Sequence, residues 1–259
     1  MLNLRNILVA TVFTLYFSIG AYLSITNGIS HDQYHEQQNW IINFDAIKSI
    51  FNNDNGYQQL LNYKDKYHGI GFHYFSQPIQ LLTHSIIGKI NHVNFEYAYY
   101  ISRHLAVFLI FSISGIFFYL LSLKISNNKN FSLIITTIFF LYPYLFGHAQ
   151  INGKDIPFLS VWLICTYYLF IIIESFYNDK KIITRNIILI SFFTAFLISI
   201  RITGILILLE YLIAILTIIN LRNINFFKFL IKNIFFLVNF IICLILFVYV
   251  LNPIFWLNP

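Results

Sequence analysis

The chain has 259 residues, of which 58% are hydrophobic and only 10% charged, with a mean hydropathy of +0.71. A soluble domain carries roughly 25% charged residues, so this composition excludes an ordinary globular domain and points to an all-α polytopic membrane protein. The net charge of +6 does not point to nucleic acid, because the basic residues lie in short groups between apolar runs rather than on one face.

Crossing roughly 30 Å of hydrocarbon takes about 20 helical residues, and apolar runs of that order divide the chain. The first covers residues 7–25; it follows Arg5 but is too long for the core of a cleaved signal peptide. Directly after it comes His31-Asp32-Gln33-Tyr34-His35-Glu36, with two histidines and two carboxylates in six residues. On a helix, His31 and His35 share one face and Asp32 and Glu36 the adjacent one, since residues four apart are neighbours. Residues 26–100 form a polar, aromatic loop, with a turn at Asn-Asp-Asn-Gly 53–56. Within it, 45–61 and 78–90 have helix-like apolar spacing (Ile79, Leu82, Ile86, Ile90), which suits short helices in the membrane interface.

The second span is expected over 102–125, the third over 131–146 and the fourth over 156–176, where Pro157 fits the first turn because its missing N–H needs no partner there. The run 186–219 is too long for one crossing and is interrupted by Arg201-Ile202-Thr203-Gly204, so it reads as two spans joined by a tight hairpin. A last span over 234–251 leads into a closing segment that ends at Pro259, which makes seven spans. With the N-terminus in the cytoplasm, the inner segments carry Arg5, Lys124, Lys129, Lys180, Lys181, Arg185, Arg222, Lys228 and Lys232. The short outer links carry only Lys154 and Arg201, which is the asymmetry of the positive-inside rule. All eight histidines and seven of the ten carboxylates then fall outside. Cys165 and Cys243 lie inside apolar runs without metal-type spacing and read as buried thiols with no disulfide.

Four outer features can converge on one site: residues 31–36, Arg103-His104 at the start of span two, the link Gly147-His148-Ala149-Gln150-Ile151-Asn152-Gly153-Lys154-Asp155-Ile156-Pro157, and Arg201. Bland readings compete. An arginine or histidine at a helix end commonly snorkels to the interface, and Lys154-Asp155 can be a local ion pair. Arg201 is harder to dismiss, because an ionisable residue interrupting an apolar run counts as a functional hypothesis by default. Glu210, inside a span, has the least evident purpose. His31 and His35 can also ligate zinc in the manner of a His-Glu-x-x-His protease motif, but Asp32 is one methylene shorter than glutamate and no third ligand is placed by spacing.

The order of these features resembles the GT-C superfamily. The resemblance rests on an acidic loop after span one, an arginine early in span two, Gly-His-x-x-x-Asn-x-Lys-Asp-x-Pro after span three, Arg-x-x-Gly after span five, and a closing Pro-x-x-Trp-x-Asn-Pro. GT-C proteins are integral-membrane glycosyltransferases such as protein O-mannosyltransferases, aminoarabinose transferases and lipopolysaccharide-sugar transferases. The resemblance implies inverting transfer of a sugar from a polyprenyl-phosphate-linked donor to a glycan, lipid or protein acceptor, at the extracytoplasmic face of a bacterial inner membrane. Asp32 matches the catalytic aspartate of the first outer loop and takes the role of general base. Arg201, Lys154, Arg103 and His148 take the lipid phosphate, and Glu36, Asp155 and His35 support them. Asp155 is also the candidate ligand for a divalent metal. The chain is expected to be a single transmembrane module over 1–259, shorter at its C-terminus than family members usually are. The alternative reading is a transporter or flippase of a lipid-linked or anionic substrate, which the same cationic outer cavity would serve.

Overall fold

The computed structural model describes residues 4–30, 32–52 and 55–257. His31, and with it the two-histidine zinc reading, lies outside the described residues. Among these residues the chain folds into α-helices and two short 3-10 turns, with no strand.

The first helix, α1 (Leu4–Thr26), is followed by α2 (Asp32–Asn52), α3 (Gly56–Asn62) and α4 (Gly71–Asn91). The expected helix over 45–61 is therefore two helices, one ending at Asn52 and the other starting at Gly56; the turn expected over 53–56 falls partly outside the described residues. The one expected from Pro78 begins earlier, at Gly71, with Pro78 on its exposed side. Next comes α5 (Phe95–Ser126), whose start is fixed by Asn94: its side chain accepts the backbone N–H of Tyr97 at 2.9 Å. The third expected span is broken into α6 (Lys129–Leu141) and α7 (Pro143–His148), because Pro143 drives Tyr142 out of the helical region, to ψ 114°. After α8 (Asp155–Tyr177) and α9 (Thr184–Ile200), the long apolar run stops at Arg201, which is extended at φ −147° and ψ 134°. A 3-10 turn (Ile202–Leu206) leads into α10 (Ile207–Leu221), α11 (Phe226–Lys232) and α12 (Ile234–Leu251).

Five segments are long and apolar enough to cross a membrane: α1, α5, α8, the stretch 202–221 and α12. The other two expected spans, α6 and α9, have 13 and 17 residues. At 1.5 Å per residue they reach about 20 and 26 Å, short of a full hydrocarbon core. The chain is accordingly an integral membrane protein by its helices. Its central layer is α5 against α8, with α8 on α9, and α4, α6, α1 and α12 around them. Phe108, Phe111, Ile172, Ile190 and Leu197 fill that layer. Large apolar side chains such as Leu15, Ile138, Ile213 and Ile245 face outward, where lipid rather than water is the solvent.

Several polar groups inside the spans are satisfied locally. Ser102 and Thr194 hydroxyls donate to the carbonyls of Ala98 and Ile190, four residues back. Glu210 accepts from Trp162 Nε1 at 2.7 Å and Thr166 Oγ1 at 2.8 Å, so α8 supplies both donors that let α10 carry a carboxylate. Both cysteines are free, but only Cys165 is buried; Cys243 is half-buried on α12, because that helix buries little beyond Phe236.

Candidate functional site

A cavity of about 570 Å³ opens at one end of the bundle, where α2 begins, α4 and α8 begin, α9 ends and the α7–α8 link crosses. Asp32, His35, Glu36, Arg103, His148, Lys154, Asp155 and Arg201 all line it. Residues far apart in sequence meet here because α1 and α9 end, and α2 and α8 start, at the same end of the bundle.

Helix α2 sorts its side chains by period. Gln33 and Gln37 are buried and Glu36 is half-buried, while Asp32 and His35 are exposed at the mouth. The Asp32 carboxylate makes no hydrogen bond or ion pair with another described residue. Glu36 is the hub of the wall: its Oε1 lies 2.7 Å from His68 Nε2 and 3.2 Å from Lys154 Nζ, and its Oε2 lies 3.8 Å from His73 Nε2. Burial alone raises the Glu36 pKa, but the His68 hydrogen bond, the approach of His73 and the charge of Lys154 outweigh it and hold the carboxyl well below the usual range. Glu36 is therefore a fixed anion. Burial in turn holds the Lys154 ammonium below the usual lysine value despite Glu36 beside it. His73, whose ring stacks flat on Trp40 at 5.4 Å, is pushed down to about 3 by burial and by the charge of Arg103, so it is neutral.

Arg103 and His104 do not snorkel. Because α5 starts at Phe95, they sit two turns inside the helix, exposed at only 2% and 0%. Arg103 Nη2 donates to Gln37 Oε1, while its Nε and Nη1 have no partner. His104 faces the Ser24 carbonyl with Nδ1 at 3.2 Å and Gln33 Nε2 with its other nitrogen, which suits a neutral ring donating from Nδ1 and accepting at Nε2. His73 Nδ1 and Gln33 Oε1 are also buried without partners. The cavity floor thus holds several polar atoms whose hydrogen-bonding capacity is unused.

Asn152 organises the α7–α8 link. Its Oδ1 accepts the backbone N–H groups of Lys154 at 3.1 Å and Asp155 at 2.8 Å, a side-chain-closed turn. Its Nδ2 reaches Asp155 Oδ2 at 3.0 Å and His148 Nδ1 at 3.2 Å. This aims Lys154 inward at Glu36 and Asp155 outward at Arg201, whose Nη1 lies 2.5 Å from Asp155 Oδ1. Neither Lys154 nor Asp155 pairs with the other, as a local ion pair would. Asp155 faces arginine rather than a set of ligands, and no group of three or more histidines, cysteines or carboxylates among the described residues is arranged to hold a metal ion. His35 approaches Asp65 at 3.8 Å and packs its ring on His68.

The sequence did not single out His68, His73, Gln33, Gln37 or Asn152 as site residues. The available signal was His68-Gly69-Ile70-Gly71-Phe72-His73. A Cβ on Gly69 would stand 2.4 Å from the Ser199 carbonyl oxygen, and one on Gly71 would stand 2.1 Å from the Ser199 hydroxyl oxygen. The two glycines let the start of α4 lie directly on the end of α9, and that contact carries both histidines to the cavity. No protein-family description, curated protein or solved structure matches this chain.

Proposed function

We propose that the chain is an integral-membrane glycosyltransferase of the GT-C kind, transferring a sugar with inversion from a polyprenyl-phosphate-linked donor to an acceptor hydroxyl at the extracytoplasmic face. The observation that carries this reading is the contrast inside one cavity between a carboxylate with no partner among the described residues, Asp32, and a buried arginine with two unused nitrogens, Arg103. A hydroxyl is a poor nucleophile until a carboxylate takes its proton, and a phosphate leaves only where cations receive its charge. In the reaction, the acceptor oxygen attacks the anomeric carbon and Asp32 takes the hydroxyl proton. The bond from that carbon to the phosphate oxygen breaks, and the polyprenyl phosphate departs with the electron pair toward Arg103 and Lys154. Arg201 stands at the mouth, where exchange of Asp155 for phosphate frees its charge.

The basic residues at the opposite end of the bundle support an orientation with that end, and the N-terminus, in the cytoplasm of a bacterial inner membrane. Purified protein in lipid, given radiolabelled polyprenyl-phosphate sugars, is expected to form a new glycosidic bond, and Asp32→Asn to lower the rate by about 100-fold or more. Transfer that survives the substitution unchanged sinks the assignment. Movement of the lipid across the bilayer with no new glycosidic bond makes the protein a flippase instead.

A further inference from the structure

The far end of the bundle holds a second, larger cavity of about 920 Å³. It is separated from the first by the length of α8, whose 23 residues span about 34 Å. The end of α8, the α8–α9 link, the α10–α11 link and the start of α12 enclose it. Since α8, the 202–221 stretch and α12 are candidate spans, the cavity lies at a membrane–water boundary.

Its framework is pinned by charge. Asp179 accepts from Arg222 Nη2 and from Lys232 Nζ, and Arg222 Nη1 donates to the Phe176 carbonyl at 2.9 Å. Asp179 and Asn223 take left-handed conformations, φ 54° and 50°, which turn the two links back toward each other. That single carboxylate answers only two of the five cations lining the cavity. The ammonium groups of Lys180, Lys181 and Lys228 make no hydrogen bond or ion pair with another described residue; the first two stand on the α8–α9 link and the third on α11. The floor is apolar: Phe176 meets Phe229 and Phe236 edge-on at 5.1 and 5.3 Å. Beside it Phe235, 66% exposed on α12, continues the aromatic surface outward to the lipid-facing side.

Topology alone asks for cations on these links, not for a concave site with an aromatic floor and a fixed carboxylate clamp. Unpaired ammonium groups above an apolar floor at the bilayer surface match a phosphate ester that carries an acyl chain. We propose that this cavity binds an anionic glycerophospholipid from the leaflet at that end, its phosphate among Lys180, Lys181 and Lys228 and the root of its acyl chain on Phe176, Phe229 and Phe236. The assignment is independent of the chemistry at the opposite end.

The test uses the full chain in nanodiscs of phosphatidylcholine doped with phosphatidylglycerol, with bound lipid counted by native mass spectrometry. Wild type is expected to retain phosphatidylglycerol over phosphatidylcholine. The triple variant Lys180→Gln, Lys181→Gln, Lys228→Gln, which removes every unpaired ammonium around the cavity, is expected to weaken that retention by about tenfold or more. The corresponding lysine-to-arginine triple, which keeps the charge, is expected to retain the lipid. Lys129→Gln with Arg185→Gln removes two cations at the same end but outside the cavity, and is expected to change retention by less than about twofold. Equal loss in this control reduces the effect to diffuse surface charge and overturns the site. So does the absence of any preference for phosphatidylglycerol, or binding of inorganic phosphate that the lipid does not compete away.

Discussion

Breaking the Glu36–Lys154 pair is the sharpest test of the cavity wall. Both side chains are about 15% exposed and 3.2 Å apart, between the surface regime in which an ion pair contributes 0–1 kcal/mol and the buried regime in which breaking one costs 3–5 kcal/mol. Coulomb's law at an effective dielectric of about 20 gives roughly 5 kcal/mol at this separation, of which desolvation takes back about half. Glu36→Gln is expected to cost about 3 kcal/mol, because Lys154 and His68 lose their shared acceptor together. Lys154→Met is expected to cost less, about 1–2 kcal/mol, since His68 and His73 still face the carboxylate. The double variant is expected to recover about 2 kcal/mol relative to the sum, because no unpaired charge is left behind. Unfolding in detergent, followed by circular dichroism, measures the cycle. Additivity of the two substitutions within about 0.5 kcal/mol would refute the pairing.

Other consequences follow from the same geometry. The depressed Glu36 carboxyl binds fewer protons folded than unfolded, so its contribution is full above the unfolded glutamate pKa of about 4.3 and is lost as pH falls toward the folded value; Glu36→Gln is expected to flatten that acid limb in pH-dependent unfolding. His73 acts in the same direction over a higher window, from about 6.5 down to about 3, and His73→Phe is expected to remove the dependence there. Gly69→Ala drives a Cβ into the Ser199 and Ile200 carbonyls and is expected to cost about 1–3 kcal/mol or more in thermal unfolding. Asp32→Asn, by contrast, touches an exposed side chain without a partner among the described residues and is expected to shift stability by no more than about 0.5 kcal/mol. Arg103→Met is expected to leave the unliganded protein equally or more stable while abolishing donor binding in a filter or flotation assay, because a buried guanidinium with two unpaired nitrogens is costly until an anion arrives.

The membrane class was legible because lipid-facing helices must be apolar throughout, and α8 and α12 read that way residue by residue. Helix ends were less legible. Asn94 starts α5 well before its apolar stretch, and that moves Arg103 and His104 from an interface into the core, where composition alone would not put them. Pro143 broke a run that hydropathy joined, since hydropathy carries no information about a missing N–H. The cavity residues on motifs, from Asp32 to Arg201, could be listed from sequence, but not their pairing. Lys154 and Asp155 are adjacent in the chain and separate in space because Asn152 closes the turn between them. His68 and His73 stayed hidden for a different reason: only the contact of Gly69 and Gly71 with α9, a long-range packing event, brings them to Glu36.

The pairing also separates what holds the cavity together from what is free to react. Its three carboxylates and three strong cations balance in formal charge. A phosphate therefore gains nothing from the cavity's average field and must find local capacity. Lys154 is committed to Glu36, and Arg201 to Asp155. Arg103 alone keeps two donors unspent, two turns inside α5 and away from competing water, so under the glycosyltransferase reading it is the primary anchor. Arg201 is then the exchangeable one, being 44% exposed and bound to a carboxylate that is 57% exposed, a pairing weak enough in water for an incoming phosphate to replace. Under the same reading Asp32 is the base. Glu36 cannot accept a proton readily while His68 and Lys154 stabilise its charge, whereas no described residue pairs with the Asp32 carboxylate. Under that reading, a carboxylate at the mouth and an arginine at the floor would put proton removal and charge release at different ends of the cavity, as a single in-line displacement asks.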